Sequence, residues 1–198
     1  MTRAAEHLKS SDPVLANLIE RVGPYRLKKG TDEPFSAIAR SILYQQLAGA
    51  AATTIHGRFL NLYGGKSPSP KQILATSDEK LRGVGISRQK IGYLKDLAAK
   101  AKGIAFDDFP RFTDEEIVSE LTQVKGVGVW TSQMFLIFRL GRPDVLPETD
   151  YGIQKAIQNA YCLRSLPLPK RVRKIGSPWQ PYRSVASWYL WQSLDNGF

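Results

Sequence analysis

The stretch Leu121-Thr-Gln-Val-Lys-Gly-Val-Gly-Val-Trp-Thr-Ser-Gln-Met134 constrains the fold of this chain most strongly. Ile117, Val118 and Leu121 recur at helical spacing before a Gly126-Val127-Gly128 turn, and Val127, Trp130, Met134 and Ile137 do so after it. Thr113-Asp-Glu-Glu116 is a capping box at the start of the first segment, and Gly141 stops the second. The pattern predicts helix, hairpin, helix. Gly126 and Gly128 permit positive φ and a close approach of backbone to a ligand, although a tight turn between packed helices would use them equally well. N–H groups that open a helix favour an anion, so Lys125, Gly126, Val127, Gly128 and Thr131 form the expected anion-contact set. The backbone carbonyls of Thr122, Val124 and Val127 are candidate ligands for an alkali cation, Na+ or K+, bridging to a phosphate oxygen.

Charge says which anion to expect. Lys and Arg number 28 against 18 Asp and Glu, a formal net charge of +10, which favours nucleic acid first and an acidic membrane surface second. A single cysteine, Cys162, excludes intramolecular disulfides and leaves no ligand set for zinc or an iron–sulfur cluster. The N-terminal residues have no signal-peptide core, and no apolar run approaches the ~20 residues of a membrane span. A soluble, intracellular protein is expected, in the cytoplasm and nucleoid or in a nucleus.

Elsewhere the chain also reads as helix. Asp12-Pro13 is an N-cap with proline at the first helical position, followed by the stripe Val14, Leu15, Leu18, Ile19 and Val22. Phe35, Ile38, Ile42 and Leu43 stripe a helix that ends within Tyr44-Gln-Gln-Leu-Ala-Gly49; Ile55, Phe59, Leu62 and Tyr63 stripe the next. Ser69-Pro70 caps a short helix, Thr76-Ser-Asp-Glu79 reads as a capping box, and Ile91, Leu94, Leu97 and Ala98 mark a longer helix ending near Gly103. Lys170-Arg171-Val-Arg173-Lys174, after Pro167 and Pro169, is expected to be a basic loop, and a last helix runs from about Tyr182 through Trp191. No segment alternates strongly enough for a strand. The expected fold is all-α, a single domain of two helical lobes: about 36–143 with the hairpin, and about 1–35 plus 144–198. Leu81-Arg-Gly-Val-Gly85 echoes Val124-Lys-Gly-Val-Gly128, which turn chemistry alone can produce.

Asp150, in Leu146-Pro-Glu-Thr-Asp-Tyr151, lies twenty positions after Trp130. An aspartate there is a favoured N-cap. Near a bound DNA backbone, a fixed carboxylate could also stabilise an oxocarbenium-like transition state or orient a water.

With these residues the chain resembles the helix-hairpin-helix (HhH-GPD) DNA glycosylase superfamily, and most closely its 3-methyladenine DNA glycosylase II branch. Ser41-Ile-Leu-Tyr-Gln-Gln-Leu-Ala48, Gly85-Ile-Ser-Arg-Gln-Lys90, the hairpin, Leu146 to Tyr151, and Trp179 to Trp191 carry the resemblance, in the family's order. It implies removal of a damaged base by cleavage of the N-glycosidic bond after base flipping, as in base excision repair. Asp150 falls on the family's catalytic aspartate. Trp130 stands where the bifunctional glycosylase/lyases carry a Schiff-base lysine, which implies a monofunctional hydrolase without lyase activity. Trp130 and Trp191 fall where this branch lines its base pocket, with Tyr44 as a third wall and Met134 one turn beyond Trp130.

The resemblance places the plug that fills the vacated stack in Tyr44-Gln45-Gln46-Leu47; Gln46 is the expected plug, though helix C-capping explains Gln45 and Gln46 equally well. The implied partner is double-stranded DNA containing alkylated purines, 3-methyladenine and 7-methylguanine, bound by a monomer with no organic cofactor. A glycosylase for uracil, hypoxanthine or ethenoadenine, and a non-catalytic reader of damaged DNA, are the alternatives.

Overall fold

The computed structural model describes residues 2–47 and 49–197; Ala48, which ends the Ser41–Ala48 motif, lies outside the described residues. The helices are α1 (Arg3–Ser11), α2 (Pro13–Val22), α3 (Pro34–Tyr44), α4 (Gly49–Asn61), α5 (Pro70–Ala75), α6 (Asp78–Gly83), α7 (Arg88–Lys100), α8 (Asp114–Thr122), α9 (Val129–Phe135), α10 (Tyr151–Ala160), α11 (Pro169–Gly176) and α12 (Arg183–Asp195). Among the described residues there is no strand, and the fold is all-α. The chain divides into one unit of Gly30–Phe135 and another of Met1–Lys29 with Leu136–Phe198.

In the 30–135 unit, helix starts follow capping chemistry. Ser69 and Thr113 form reciprocal capping boxes with Gln72 and Glu116. The box expected at Thr76 does not form: Thr76 is the C-cap of α5, and α6 starts one residue later with a simple cap, the Ser77 hydroxyl accepting from the Lys80 N–H. Thr76 is spent on the preceding helix, where its N–H donates to the Gln72 carbonyl at 3.1 Å. The core gathers Ile38, Ile42, Leu43, Phe59, Ile91, Leu94, Leu121 and Phe135, all buried.

Asp96 on α7 braces the hairpin. Its carboxylate accepts the Lys125 N–H at 2.8 Å and the Lys100 ammonium at 2.8 Å, while Lys100 also donates to the Gln123 carbonyl at 2.6 Å. Burial pushes the Asp96 carboxyl up, but these bonds and the two lysine charges bring it below the usual carboxylate range. The two glycines of the turn differ. Gly126 has φ +79, and a Cβ there would lie 2.2 Å from Cδ2 of Tyr93, whereas Gly128 has open space around its Cβ position and no positive φ. The echo Leu81–Gly85 is not equivalent, since its positive φ falls on the second glycine, Gly85.

In the 1–29 plus 136–198 unit, α1, α2, α10 and α12 surround a core of Leu8, Leu15, Ile153, Ile157, Trp179, Tyr189 and Leu190. Asp12 is its polar hub. One carboxylate oxygen caps α2 through the Val14 and Leu15 N–H groups, at 2.9 and 3.2 Å; the other accepts from the Trp179 indole at 2.8 Å and from the Tyr161 hydroxyl. Burial first, and the bond to Asp12 second, push the Tyr161 hydroxyl well above the ordinary tyrosine range. The segment 170–174 is not a loop: Pro169 occupies the first turn of α11, where proline's missing N–H costs nothing, and Val172 anchors that helix in the core.

Among the described residues no helix is long and apolar enough to cross a membrane, and no group of three or more His, Cys, Asp or Glu side chains could hold a metal ion.

Candidate active site

In the 30–135 unit, a cavity of 720 Å³ is enclosed by residues far apart in sequence. Tyr44, Trp130 and Met134 line it together with Gln45, Gln46, Gly126 and Thr131, so seven of the residues singled out by sequence meet at one place. A volume of that order is typical of small-molecule sites. Trp130 is 42% exposed, and a generic core tryptophan would not be. The Tyr44 ring carries the Arg40 guanidinium 5.0 Å from its centroid, and its hydroxyl lies 3.3 Å from the Thr53 hydroxyl; that bond is the main influence drawing the Tyr44 hydroxyl below the ordinary tyrosine range.

Several expected DNA-contact side chains turn inward. Thr131 is 5% exposed, and its hydroxyl lies 3.4 Å from Nε2 of Gln45. Gln45 spends the same Nε2 on the Gly126 carbonyl, at 2.8 Å, besides being the C-cap of α3. Val127 is buried as well. At Thr131 only backbone remains to meet an anion, and the Val127 N–H is already donated to the Val124 carbonyl at 3.0 Å. Gln46, by contrast, is exposed and left-handed, with φ +56. Lys125 is exposed, and its backbone N–H is the part tied to Asp96.

Lys90 is the residue that sequence reasoning missed. It lines the same cavity, and its ammonium donates to the carbonyls of Leu43 at 2.7 Å and Gln45 at 2.6 Å. Burial pushes it below the ordinary lysine range. Lys90 belongs to the Gly85–Lys90 motif, so its place in a motif was visible, but a contact spanning 45 residues is not written in any local pattern.

Thr122 ends α8, with Val124 and Val127 in the following turn. The Val124 carbonyl accepts the Val127 N–H at 3.0 Å, which leaves that oxygen a second lone pair. Carbonyls at a helix C-terminus, the negative end of its dipole, are suitable donors for a hard monovalent cation.

In the 1–29 plus 136–198 unit, Asp150 is the N-cap of α10, and its Oδ1 accepts the Ile153 N–H at 2.8 Å. The same oxygen accepts the indole N–H of Trp191 on α12 at 2.9 Å. Capping and immobilisation therefore coincide, as sequence reasoning had allowed. Gly152 makes room for this arrangement: a Cβ there would lie 3.0 Å from Oδ1 of Asp150 and 3.1 Å from Cδ1 of Trp191. The Trp191 ring stacks on Phe138, with centroids 5.5 Å apart and planes at 28°. Phe138 lies in a π-helical turn, Leu136–Leu140, that continues α9. The loop leading to Asp150 is braced from two sides, by Arg173 of α11 on the Glu148 carboxylate and by Nε2 of Gln154 on the Glu148 carbonyl at 3.0 Å.

Residues 39–181 match the family described as HhH-GPD superfamily base excision DNA repair protein. The chain is 34% identical over 196 residues to the Alkylbase DNA glycosidase-like protein mag2 of Schizosaccharomyces pombe, covering 96% of this chain and 92% of that one. It is 35% identical over 199 residues to DNA-3-methyladenine glycosylase 1 of the same yeast, covering 98% of this chain and 87% of the relative. The solved structure of S. pombe 3-methyladenine DNA glycosylase (Mag1) in complex with abasic DNA superposes with a TM-score of 0.90 at 34% identity, covering 98% of this chain and 97% of that one. The chain belongs to the HhH-GPD superfamily of base excision DNA repair proteins.

Proposed function

We propose that this protein is a monofunctional DNA glycosylase that excises alkylated purines, chiefly 3-methyladenine and 7-methylguanine, from double-stranded DNA. The observation that carries the reading is Asp150, whose Oδ1 is held by two N–H donors, Ile153 and Trp191, at 2.8 and 2.9 Å. A carboxylate fixed in this way does not need to reorganise as positive charge develops on the deoxyribose, and that preorganisation is the main source of electrostatic catalysis. Asp150 would stabilise the oxocarbenium-like transition state or direct a water at the anomeric carbon. The names borne by the relatives support the alkylpurine class.

The cavity walls Tyr44, Trp130 and Met134 would take the flipped base, and Trp191 would act on the chemistry by holding Asp150. N-alkylated purines are flat cations, and an indole face attracts one by about 1–2 kcal/mol. A cationic base also leaves readily, so no strong general acid is required. Trp130 cannot form an imine, and the Lys90 ammonium is engaged by two carbonyls, which supports hydrolysis without strand cleavage. Gln46 would fill the vacated stack. The turn would meet phosphates through the N–H groups of Gly126 and Gly128 and the exposed Lys125 side chain, and the carbonyls of Thr122, Val124 and Val127 would hold an alkali cation that adds positive charge there. The enzyme would act as a soluble intracellular monomer.

The test is release of free bases from duplexes carrying 7-methylguanine, 3-methyladenine, uracil, hypoxanthine or ethenoadenine. The expected result is release of the methylated purines, leaving an unbroken abasic strand. Release of another lesion alone would refute the substrate class; tight binding with no release would leave a damage reader.

A further inference from the structure

The end of α3 carries both a cavity wall, Tyr44, and the expected plug, Gln46. The last carbonyls of a helix have no partner within it. Here an ammonium supplies partners: Lys90 Nζ donates to the Leu43 carbonyl at 2.7 Å and the Gln45 carbonyl at 2.6 Å, bracketing Tyr44 and abutting Gln46. A cation at a helix C-terminus also complements its dipole. From the opposite side, the Gln45 amide holds the Gly126 carbonyl of the hairpin at 2.8 Å. Lys90 is itself fixed in the first turn of α7, where its N–H donates to the Ser87 cap at 3.3 Å.

Immediately after these anchors Gln46 is left-handed, with φ +56. A non-glycine residue is strained in that conformation, which persists only where its surroundings determine it. The two Lys90 bonds are the determinant nearest in the chain, because one of them fixes the carbonyl immediately before Gln46.

We infer that Lys90 is a positioning residue, which holds the 43–46 backbone so that Gln46 is presented in its left-handed conformation for insertion into the duplex. This rests on the reading of Gln46 as the plug. Lys90 acts through backbone carbonyls and needs no contact with DNA or with the reacting atoms.

The experiment uses a duplex with a tetrahydrofuran abasic analogue and 2-aminopurine opposite it, whose fluorescence reports insertion. Native protein, Lys90→Met, Gln46→Ala and the double variant are compared, with undamaged-duplex affinity measured alongside. Lys90→Met is expected to lower the insertion equilibrium about tenfold, the scale of one bond to a charged donor. Affinity for undamaged duplex, which phosphate contacts dominate, should hold within about twofold. In the Gln46→Ala background, Lys90→Met should cost nothing further, which a general loss of stability would not produce. Lys90→Arg, which keeps the charge but misplaces the donors, should fall between native and Lys90→Met, and it takes that variant's place in the cycle should Lys90→Met not fold. Native insertion by the Lys90 variant, or losses that add in the double variant, would overturn the inference while leaving Gln46 as plug. Full insertion by Gln46→Ala would overturn the plug reading and this inference with it.

Discussion

Trp191→Phe separates the two things Trp191 does. Phenylalanine keeps an aromatic ring against Phe138, which stacks 5.5 Å from the indole, but removes the N–H that reaches Oδ1 of Asp150 at 2.9 Å. The Ile153 N–H at 2.8 Å still caps the carboxylate. A hydrogen bond to a charged acceptor contributes about 1.5–3 kcal/mol, and the half-exposed position of Trp191 argues for the lower part of that range. Loss of about 1.5–2 kcal/mol of orientation corresponds to a fall of roughly ten- to thirtyfold in the chemical step. Single-turnover release of 7-methylguanine measures that step; anisotropy with a duplex containing an abasic analogue measures binding. The expected outcome is the full loss in the rate, with binding and fold retained. A rate within twofold of native, or a loss appearing only in binding, would refute the idea that Trp191 works by fixing Asp150.

The hairpin glycines should respond oppositely to alanine. Gly126→Ala forces a Cβ to 2.2 Å from the Tyr93 ring at φ +79, so urea denaturation should show a loss of about 2–4 kcal/mol, together with weaker duplex binding. Gly128→Ala meets nothing within 4 Å and should leave stability unchanged while weakening duplex binding, because its methyl stands where backbone would approach phosphate; unchanged binding would remove Gly128 from the interface. Tyr161 gives a pH signature. Its folded hydroxyl is held above the ordinary value by burial and by Asp12, so it stays protonated while the unfolded chain ionises, and stability is lost as pH rises beyond the unfolded value of about 10. Tyr161→Phe should flatten that alkaline decline in chemical denaturation; an identical slope would contradict it.

Much of this was legible in local chemistry. Asp12-Pro13, Ser69-Pro70 and Thr113-Glu116 announced helix starts because caps are short-range bonds, and all three form as written. Asp150 as an N-cap was legible for the same reason. Where local signals competed, the reading slipped. Thr76 and Ser77 are both good caps, and only the end of α5 decides between them. The four cations of 170–174 masked α11, whose single deep anchor, Val172, gives little periodicity. α1 drew no prediction, with just Ala5 and Leu8 buried. The roles of Gln45 and Lys90 depend on partners 81 and 45–47 residues away, which no spacing rule reaches. Seven residues named from the sequence line the cavity, but its internal bracing was not legible there.

The most direct test of the account compares native protein with Asp150→Asn on methylated duplex DNA. Asparagine is nearly isosteric, and its side-chain oxygen can still accept from Ile153 and Trp191, so fold and DNA binding should persist while the negative charge is lost. The account predicts release of 3-methyladenine and 7-methylguanine by the native protein, and a rate at least a hundredfold lower in the variant at unchanged DNA affinity, the scale on which such electrostatic groups act. Equal release by both proteins would contradict it.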